Sequence, residues 1–161
     1  MGDPSRYPIG VFDSGLGGLT VLRALKQALP SESFLYLGDV ARLPYGTKSQ
    51  AVVREYVRQC VDFLVPQPVK AVVIACNTAS AMALESVEAP VPVLGVVRPG
   101  VEAGLRAAPR RAVLVLGTHA TVKSEAYLRA FAEKEPGLRV EQLACPLLVP
   151  LAEEGWFDHP I

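Results

Sequence analysis

Four short polar segments each follow an apolar run, and they hold the side chains most able to do chemistry. They are Asp13-Ser14-Gly15, Asp39 with Pro44-Tyr45-Gly46, Cys76-Asn77-Thr78 and Gly117-Thr118-His119-Ala120-Thr121. The set combines two carboxylates, several hydroxyls and one thiol with backbone N–H groups at helix starts. Small polar groups such as Asn77 and Thr78 suit a carboxylate or carbonyl, whereas Asp13 suits an ammonium group and would repel phosphate.

Cys76 is predicted to lie where a buried strand meets the start of a helix. The N–H groups and dipole of a helix N-terminus stabilise a thiolate, so this position predicts a lowered thiol pKa. A free cysteine is more commonly a small, inert packing residue, and the local sequence favours neither interpretation. Cys60, within a helix, and Cys145, before Pro146, are expected only to pack.

Other kinds of site have weak signals. The glycines of residues 15–18 lack the Gly-Lys-Ser/Thr of a P-loop and the spacing of GxGxxG, so they serve a tight turn or an anion equally well. His119 and His159 stand alone, and we expect no metal site. The three cysteines are too few and too widely spaced for a disulfide framework.

Amino-acid composition excludes several classes of protein for this chain. Half of the 161 residues are hydrophobic, which is enough to form a core, and 16 basic residues balance 16 acidic ones. A nucleic-acid-binding protein normally has a basic excess, so we expect no nucleic-acid partner. No apolar run is long enough to span a bilayer, and residues 1–8 are polar, so we expect a cytoplasmic protein without a membrane partner.

The elements that must position the four segments alternate between strand and helix. Predicted strands are 9–12, 34–37, 71–75, 93–97, 112–116 and 138–143, and predicted helices are 19–29, 50–64, 78–87, 100–107 and 124–134, with a loop at 40–48. This order predicts an α/β fold, a parallel sheet with helices on both faces. Residues 71–75 and 113–116 are apolar throughout, which is typical of strands covered on both faces. Ligands bind at the carboxyl ends of such strands, so the polar segments should converge on one rim.

Five segments in chain order resemble the glutamate racemase family, among the aspartate/glutamate racemases. They are residues 9–22 (IGVFDSGLGGLTVL), 36–48 (YLGDVARLPYGTK), 73–81 (VIACNTASA), 116–124 (LGTHATVKS) and 144–155 (ACPLLVPLAEEG). The resemblance implies two similar α/β domains, which we place at residues 1–97 and 98–161, the second incomplete. It also implies cofactor-independent interconversion of L- and D-glutamate for peptidoglycan synthesis, by two cysteines on opposite faces of the substrate Cα.

The resemblance also implies roles for single residues. Cys76 would be the first catalytic cysteine, and Asp13 and Ser14 would hold the amino group and assist the thiol. The implied substrate contacts are Tyr45, Gly46, Asn77, Thr78, Thr118 and Thr121, and the implied supporting acids are Asp39 and Glu153. We expect glutamate as the ligand, no cofactor or metal, and a homodimer as one form of assembly.

Two features depart from the family pattern. The second cysteine of the family lies in a Cys-Thr-His segment that residues 1–161 do not contain, and Cys145 matches a different segment. Arg98 stands where the family has an acid. We therefore expect an N-terminal part of a racemase, with a single thiol that exchanges the α-proton slowly. The alternatives are a related aspartate or hydantoin racemase and a non-catalytic module that binds an amino acid or another subunit.

Overall fold

A computed structural model describes residues 3–107, 112–156 and 158. Its strands are β1 (Ile9–Asp13), β2 (Phe34–Gly38), β3 (Ala71–Ile74), β4 (Val93–Gly95), β5 (Val113–Gly117) and β6 (Val140–Ala144). Its α-helices are α1 (Gly18–Ala28), α2 (Gln50–Leu64), α3 (Asn77–Ala83), α4 (Val97–Ala107), α5 (His119–Ser124), α6 (Ala126–Lys134) and α7 (Leu148–Glu153). Short 3-10 turns occupy Pro4–Arg6, Tyr45–Thr47 and Leu84–Ser86.

The first four strands form one parallel sheet in the order β2-β1-β3-β4. Ile9 at the start of β1 lies opposite Phe34 on β2 and Ala71 on β3, and Val72 on β3 lies opposite Val93 on β4. All four strands point the same way, so their carboxyl ends share one edge. The predicted α/β fold with a parallel sheet between helices is confirmed.

Both faces of this first sheet are covered. Phe12, Val72 and Ile74 are fully buried in the larger core, which α2 and α3 complete. Val11 and Val73 point to the opposite face, where half-buried residues of α1 pack against them. The uniform apolar character of residues 71–75 therefore has the predicted cause, cover on both sides.

The strands β5 and β6 form a separate two-stranded parallel sheet, in which Val113 lies opposite Val140. Helices α5 and α6 contact one of its faces. On the other face Leu114, Leu116 and Leu143 are 53 to 56 % exposed. The prediction that residues 113–116 are covered on both faces is therefore wrong within the described residues. An apolar strand indicates that cover is needed, but it does not show which part of a protein provides it.

Three predicted helix boundaries differ from the structure. The helix predicted over 100–107 begins at Val97, so the strand predicted over 93–97 ends at Gly95. Pro99 fits there because the first turn of a helix has N–H groups without helical partners. The helix predicted over 124–134 is divided by Glu125, whose φ of 55° is left-handed, and α5 precedes it. The helix predicted over 78–87 ends at Ala83 and continues as a 3-10 turn.

None of the helices within residues 3–107, 112–156 and 158 is long and apolar enough to cross a membrane. The predicted domain boundary at residue 97 coincides with the start of α4, and it stays a prediction. Helix α3 contacts α4, α5 and α6 across that boundary, and α5 also contacts the Tyr45–Thr47 turn. Among the side chains that meet there, Thr78, Thr118 and Thr121 belong to the predicted site.

Candidate active site

The strands β1 and β3 are adjacent, and each delivers a reactive side chain to the shared rim. Asp13 is the last residue of β1, is 6 % exposed, and accepts a hydrogen bond from the Gly15 N–H at 2.9 Å. Cys76 follows the end of β3 by two residues, after Ala75, and it is also 6 % exposed. The predicted convergence of these two segments is what the parallel register produces.

The thiol of Cys76 has two hydrogen-bond partners. The Ser14 hydroxyl oxygen lies 3.4 Å from the sulfur, and the Ala79 N–H donates to the sulfur at 3.4 Å. Cys76 is therefore the N-cap residue of α3, in the place where a serine or aspartate would more often satisfy a free N–H. Both contacts stabilise a thiolate more than a thiol.

The predicted lowering of the Cys76 pKa is wrong. Burial raises the pKa of this thiol, and the negative charge of Asp13 raises it further, while the hydrogen bonds from Ser14 and Ala79 lower it. The helix N-terminus does act in the predicted direction, but desolvation and a neighbouring carboxylate outweigh it. The resting thiol is therefore protonated at neutral pH.

Gly18 is the glycine of the first turn that close approach requires. A β-carbon placed on Gly18 would lie 2.4 Å from the Asp13 β-carbon and 3.0 Å from the Tyr36 hydroxyl. That hydroxyl donates to the Gly15 carbonyl at 3.1 Å, and burial, Asp13 and Cys76 raise the pKa of Tyr36 to about 12. Tyr36 was not predicted as a site residue, although its position two residues before the end of β2 gave a signal.

Asp39 belongs to a buried polar cluster behind the rim. The Tyr45 hydroxyl donates to its carboxylate, and the Arg42 guanidinium Nε lies 2.7 Å from the same carboxylate. Arg42 also lies over the Tyr56 ring and 3.7 Å from the Cys60 sulfur. The Tyr45 side chain is 1 % exposed and engaged inside this cluster, so a ligand at the rim would meet the backbone of the Tyr45–Thr47 turn.

Gly46 brings that turn against the second sheet's loop. A β-carbon placed on Gly46 would lie 2.6 Å from the Thr118 methyl group. Thr118 is the N-cap residue of α5, where its hydroxyl accepts from the Thr121 N–H at 3.2 Å. The Thr78 hydroxyl lies 3.0 Å from that of Thr118 and 3.4 Å from that of Thr121, and the last two lie 3.1 Å apart. We call these three side chains the threonine triangle.

Two more predicted residues reach the rim from different directions. Asn77 is exposed at the start of α3, and the Tyr127 hydroxyl of α6 donates to its Oδ1 at 2.5 Å. Glu153 ends α7, and its Oε1 would lie 3.6 Å from a β-carbon on Gly15. The structure thus gathers the predicted site residues, whose individual roles stay predictions.

Two residues that the sequence singled out, Cys145 and Arg98, lie apart from this chemistry. The Cys145 N–H donates to the Gly117 carbonyl at 2.8 Å, which continues the β5–β6 pairing by one residue. The Arg98 guanidinium lies 3.6 Å from the Glu133 carboxylate, and both side chains are largely exposed. His159 lies outside the described residues, and no described group of His, Cys, Asp and Glu side chains has the arrangement of a metal site.

Comparison with known sequences gives one family. A sequence model described as Asp/Glu/Hydantoin racemase matches residues 9–153. A glutamate racemase of Syntrophus aciditrophicus is 51 % identical over 160 residues, which are 98 % of this chain and 59 % of that protein. One from Chlorobaculum tepidum is 49 % identical, over 97 % of this chain and 58 % of that protein.

Solved structures give the same result. Glutamate racemase from Thermus thermophilus, in complex with beta-chloro-D-alanine, superposes with a TM-score of 0.84 and 52 % identity over 99 % of this chain and 59 % of that one. The enzyme from Francisella tularensis, in complex with D-glutamate, superposes with a TM-score of 0.86 and 43 % identity over 94 % and 57 %. The chain thus spans about six-tenths of the length of these relatives.

Proposed function

The chain belongs to the Asp/Glu/hydantoin racemase family, and we propose that it forms the part of a glutamate racemase site in which Cys76 exchanges the substrate's α-proton. The observation that supports this most strongly is the buried Cys76 thiol beside Ser14, on the same rim as Asp13. Together these residues supply a base, a hydroxyl partner for that base and a carboxylate that pairs with an ammonium group, three groups that serve proton removal from an amino acid.

Substrate binding would prepare the thiol for this step. Since the charge of Asp13 raises the pKa of Cys76, an ammonium group paired with Asp13 offsets that effect and favours the thiolate. Ser14 and the Ala79 N–H then stabilise the sulfur anion through the contacts already described. The substrate thus creates the base that acts on it.

In the proposed step the thiolate takes the α-proton of glutamate. The Cα–H bond breaks, an S–H bond forms, and the electron pair remains on Cα, delocalised into the α-carboxylate. Donors must stabilise the charge that develops on that carboxylate, because no cofactor takes it up. We assign this to the backbone at Gly46 and to Asn77 and Thr78, which lie around the same rim.

The return of a proton decides between exchange and racemisation. Return from Cys76 restores the starting enantiomer, whereas racemisation needs a donor on the opposite face. The resemblance assigns that donor to a Cys-Thr-His segment, which residues 1–161 do not contain. We therefore propose α-proton exchange on one face as the reaction of these residues. D-Glutamate supply for peptidoglycan, a cytoplasmic location and a homodimer are further proposals from the resemblance.

The test is α-proton exchange in D₂O, followed by NMR with L-glutamate and D-glutamate separately. We expect loss of the Cα proton signal from one enantiomer only, and a fall of about 10²- to 10⁴-fold in Cys76→Ser, the usual contribution of a general base. The matched control is Cys145→Ser, which should exchange like the unsubstituted chain.

Other outcomes would change the proposal. Exchange of both enantiomers with racemisation would mean that a second acid/base is present. Binding of glutamate by calorimetry without exchange would make the site an amino-acid-binding module. Exchange of aspartate in place of glutamate would indicate a related racemase. A folded chain that neither binds glutamate nor exchanges its α-proton would reject the proposal.

A further inference from the structure

The Asn77 side chain has an acceptor group and a donor group, and its contacts within the protein decide which of the two can bind a ligand. An amide side chain has one oxygen that accepts and one NH₂ group that donates. The oxygen of Asn77 accepts from the Tyr127 hydroxyl at 2.5 Å, while the residue itself is exposed at the rim. With the oxygen so engaged, the Nδ2 group is the part of the amide left to meet a ligand.

Tyr127 is held in place by its own surroundings. It is half-buried in the first turn of α6, and α4 approaches it at Gly100. A β-carbon placed on Gly100 would lie 3.3 Å from the Tyr127 hydroxyl and 3.4 Å from a ring carbon. That contact is tighter than an ordinary van der Waals distance, so the glycine allows the phenol to sit where it reaches α3.

The hydrogen bond also spans a long sequence separation. Asn77 belongs to the segment after β3, whereas Tyr127 belongs to the helix that packs on the second sheet, 50 residues away. We call β1–β4 with α1–α3 the first unit, and β5 and β6 with the helices α5 and α6 the second unit. Through Tyr127 the second unit contributes to the rim with a residue that belongs to no motif of the sequence. Its effect on a ligand would be exerted through Asn77.

We propose that Tyr127 is a positioning residue, which fixes the Asn77 amide with its oxygen toward α6 and its NH₂ group toward a carboxylate of glutamate. The inference rests on the proposed function for the identity of the ligand. The rejected alternative is the flipped amide, in which NH₂ donates to the phenol and the oxygen faces the rim. That orientation would place an acceptor against a carboxylate and weaken binding.

Calorimetric affinity for L-glutamate and D-glutamate tests the proposal with single and double variants. Tyr127→Phe should weaken binding about 3- to 10-fold, the value of one hydrogen bond. It should also slow exchange at saturating glutamate, because Asn77 is assigned to the charge that develops on the carboxylate. Asn77→Asp should weaken binding more, because it keeps an acceptor for Tyr127 but removes the donors. Tyr127→Phe should have no further effect in an Asn77→Ala background.

The matched control is Tyr7→Phe, which removes a phenol hydroxyl from the opposite, N-terminal edge of the first sheet and should leave affinity unchanged. Thermal unfolding of each variant checks that it is folded. Equal affinity of Tyr127→Phe and the unsubstituted chain would overturn the proposal. So would a loss of the same size in the Asn77→Ala background, because Tyr127 would then act by another route.

A second measurement separates this inference from the proposed function. The ¹⁵N relaxation of the Asn77 side-chain amide, recorded without ligand, should show an order parameter near that of rigid backbone, about 0.85, falling below about 0.6 in Tyr127→Phe. If the chain binds no glutamate but the amide behaves this way, the proposed function fails and the positioning role stands. An amide equally mobile in both proteins would overturn the positioning role.

Discussion

The two sheets of this chain have the same strand direction and the same alternation with helices, but they differ in cover. In the first sheet Phe12, Val72 and Ile74 are fully buried, with helices on both faces. In the second, Leu114 and Leu116 alternate with half-buried residues and are more than half exposed. The difference shows that a run of apolar residues in a strand predicts that the strand is covered on both faces. Only the structure shows whether helices of the same chain provide that cover.

The functional groups divide along the same line. The first sheet carries the groups that need a low-dielectric, fixed environment, namely the Cys76 thiol and the Asp13 carboxylate. The second unit contributes hydroxyls, Thr118 and Thr121 of the threonine triangle and Tyr127 of α6. The two groups whose ionisation the proposed step uses therefore lie beside the well-packed first sheet, whereas the hydroxyls of Thr118, Thr121 and Tyr127 come from the helices beside the second.

The largest effect that would sharpen this comparison is a loss of buried volume in the first sheet. Ile74→Ala should lower the free energy of unfolding by about 2–5 kcal/mol, because it removes buried methyl groups and leaves a cavity. Leu116→Ala in the second sheet should change it by about 0.5 kcal/mol or less. Urea denaturation of both variants measures the difference, and equal losses would show that the Leu116 face is covered in solution.

A smaller effect is expected where the two units meet. Gly46→Ala would place a β-carbon 2.6 Å from the Thr118 methyl group, and such overpacking costs about 1–3 kcal/mol. The matched control is Gly17→Ala, since a β-carbon there would have its nearest neighbour at 3.9 Å. Thermal unfolding compares the two variants. If Gly46→Ala is as stable as Gly17→Ala, the units are not in firm contact at this point.

The smallest effect concerns the ionisation of the two buried thiols. Burial and Asp13 raise the pKa of Cys76, and burial and Asp39 raise the pKa of Cys60. Since only the thiolate reacts with iodoacetamide, labelling of each cysteine should increase with pH and be half-maximal above the ordinary thiol pKa of about 8.5. Peptide-level mass spectrometry follows each site separately.

Removal of each carboxylate should act on its own thiol. In Asp13→Asn the repulsion of the thiolate is removed, so the labelling midpoint of Cys76 should shift to lower pH while that of Cys60 stays in place. Asp39→Asn should shift Cys60 and leave Cys76. The labelling rate of the affected thiol at pH 8 should rise, because removal of the neighbouring carboxylate lowers the thiol pKa and increases the fraction of thiolate. A shift of both thiols in either variant would contradict the assignment.

The sequence predicted the parts of this molecule that depend on local pattern. The apolar periods located the strands and most helices, and the rule that ligands bind at strand ends brought Asp13, Cys76 and Asn77 to one rim. The sequence did not predict the properties that depend on contacts between residues far apart in the chain. The Cys76 pKa is set by burial and by a carboxylate on another strand, and Arg42 and Tyr127 act on site residues only after the helices have packed.

The division of residues 119–134 into α5 and α6 shows the same limit at a smaller scale. The apolar spacing of residues 124–134 favours one helix, and nothing in that spacing marks Glu125 as a left-handed residue. At the break the Ser124 hydroxyl accepts from the Ala126 N–H, the first of α6, at 3.2 Å, and Glu125 is the N-cap residue. It also turns α6 so that Tyr127 faces α3, a result that no local pattern contains.

The threonine triangle has a consequence that appears when its protons are counted. Three hydroxyls own three protons, and three oxygen–oxygen contacts of 3.0 to 3.4 Å join them. A closed ring uses every proton internally, so it offers a ligand lone pairs and no protons. The Thr118 oxygen also accepts from the Thr121 N–H, which leaves Thr78 and Thr121 to accept from an ammonium group. To receive a carboxylate, one hydroxyl must turn its proton outward and open the ring. Thr118, the least buried of the three, is placed to do so, and the charge of the arriving group therefore sets the direction in which the ring is polarised.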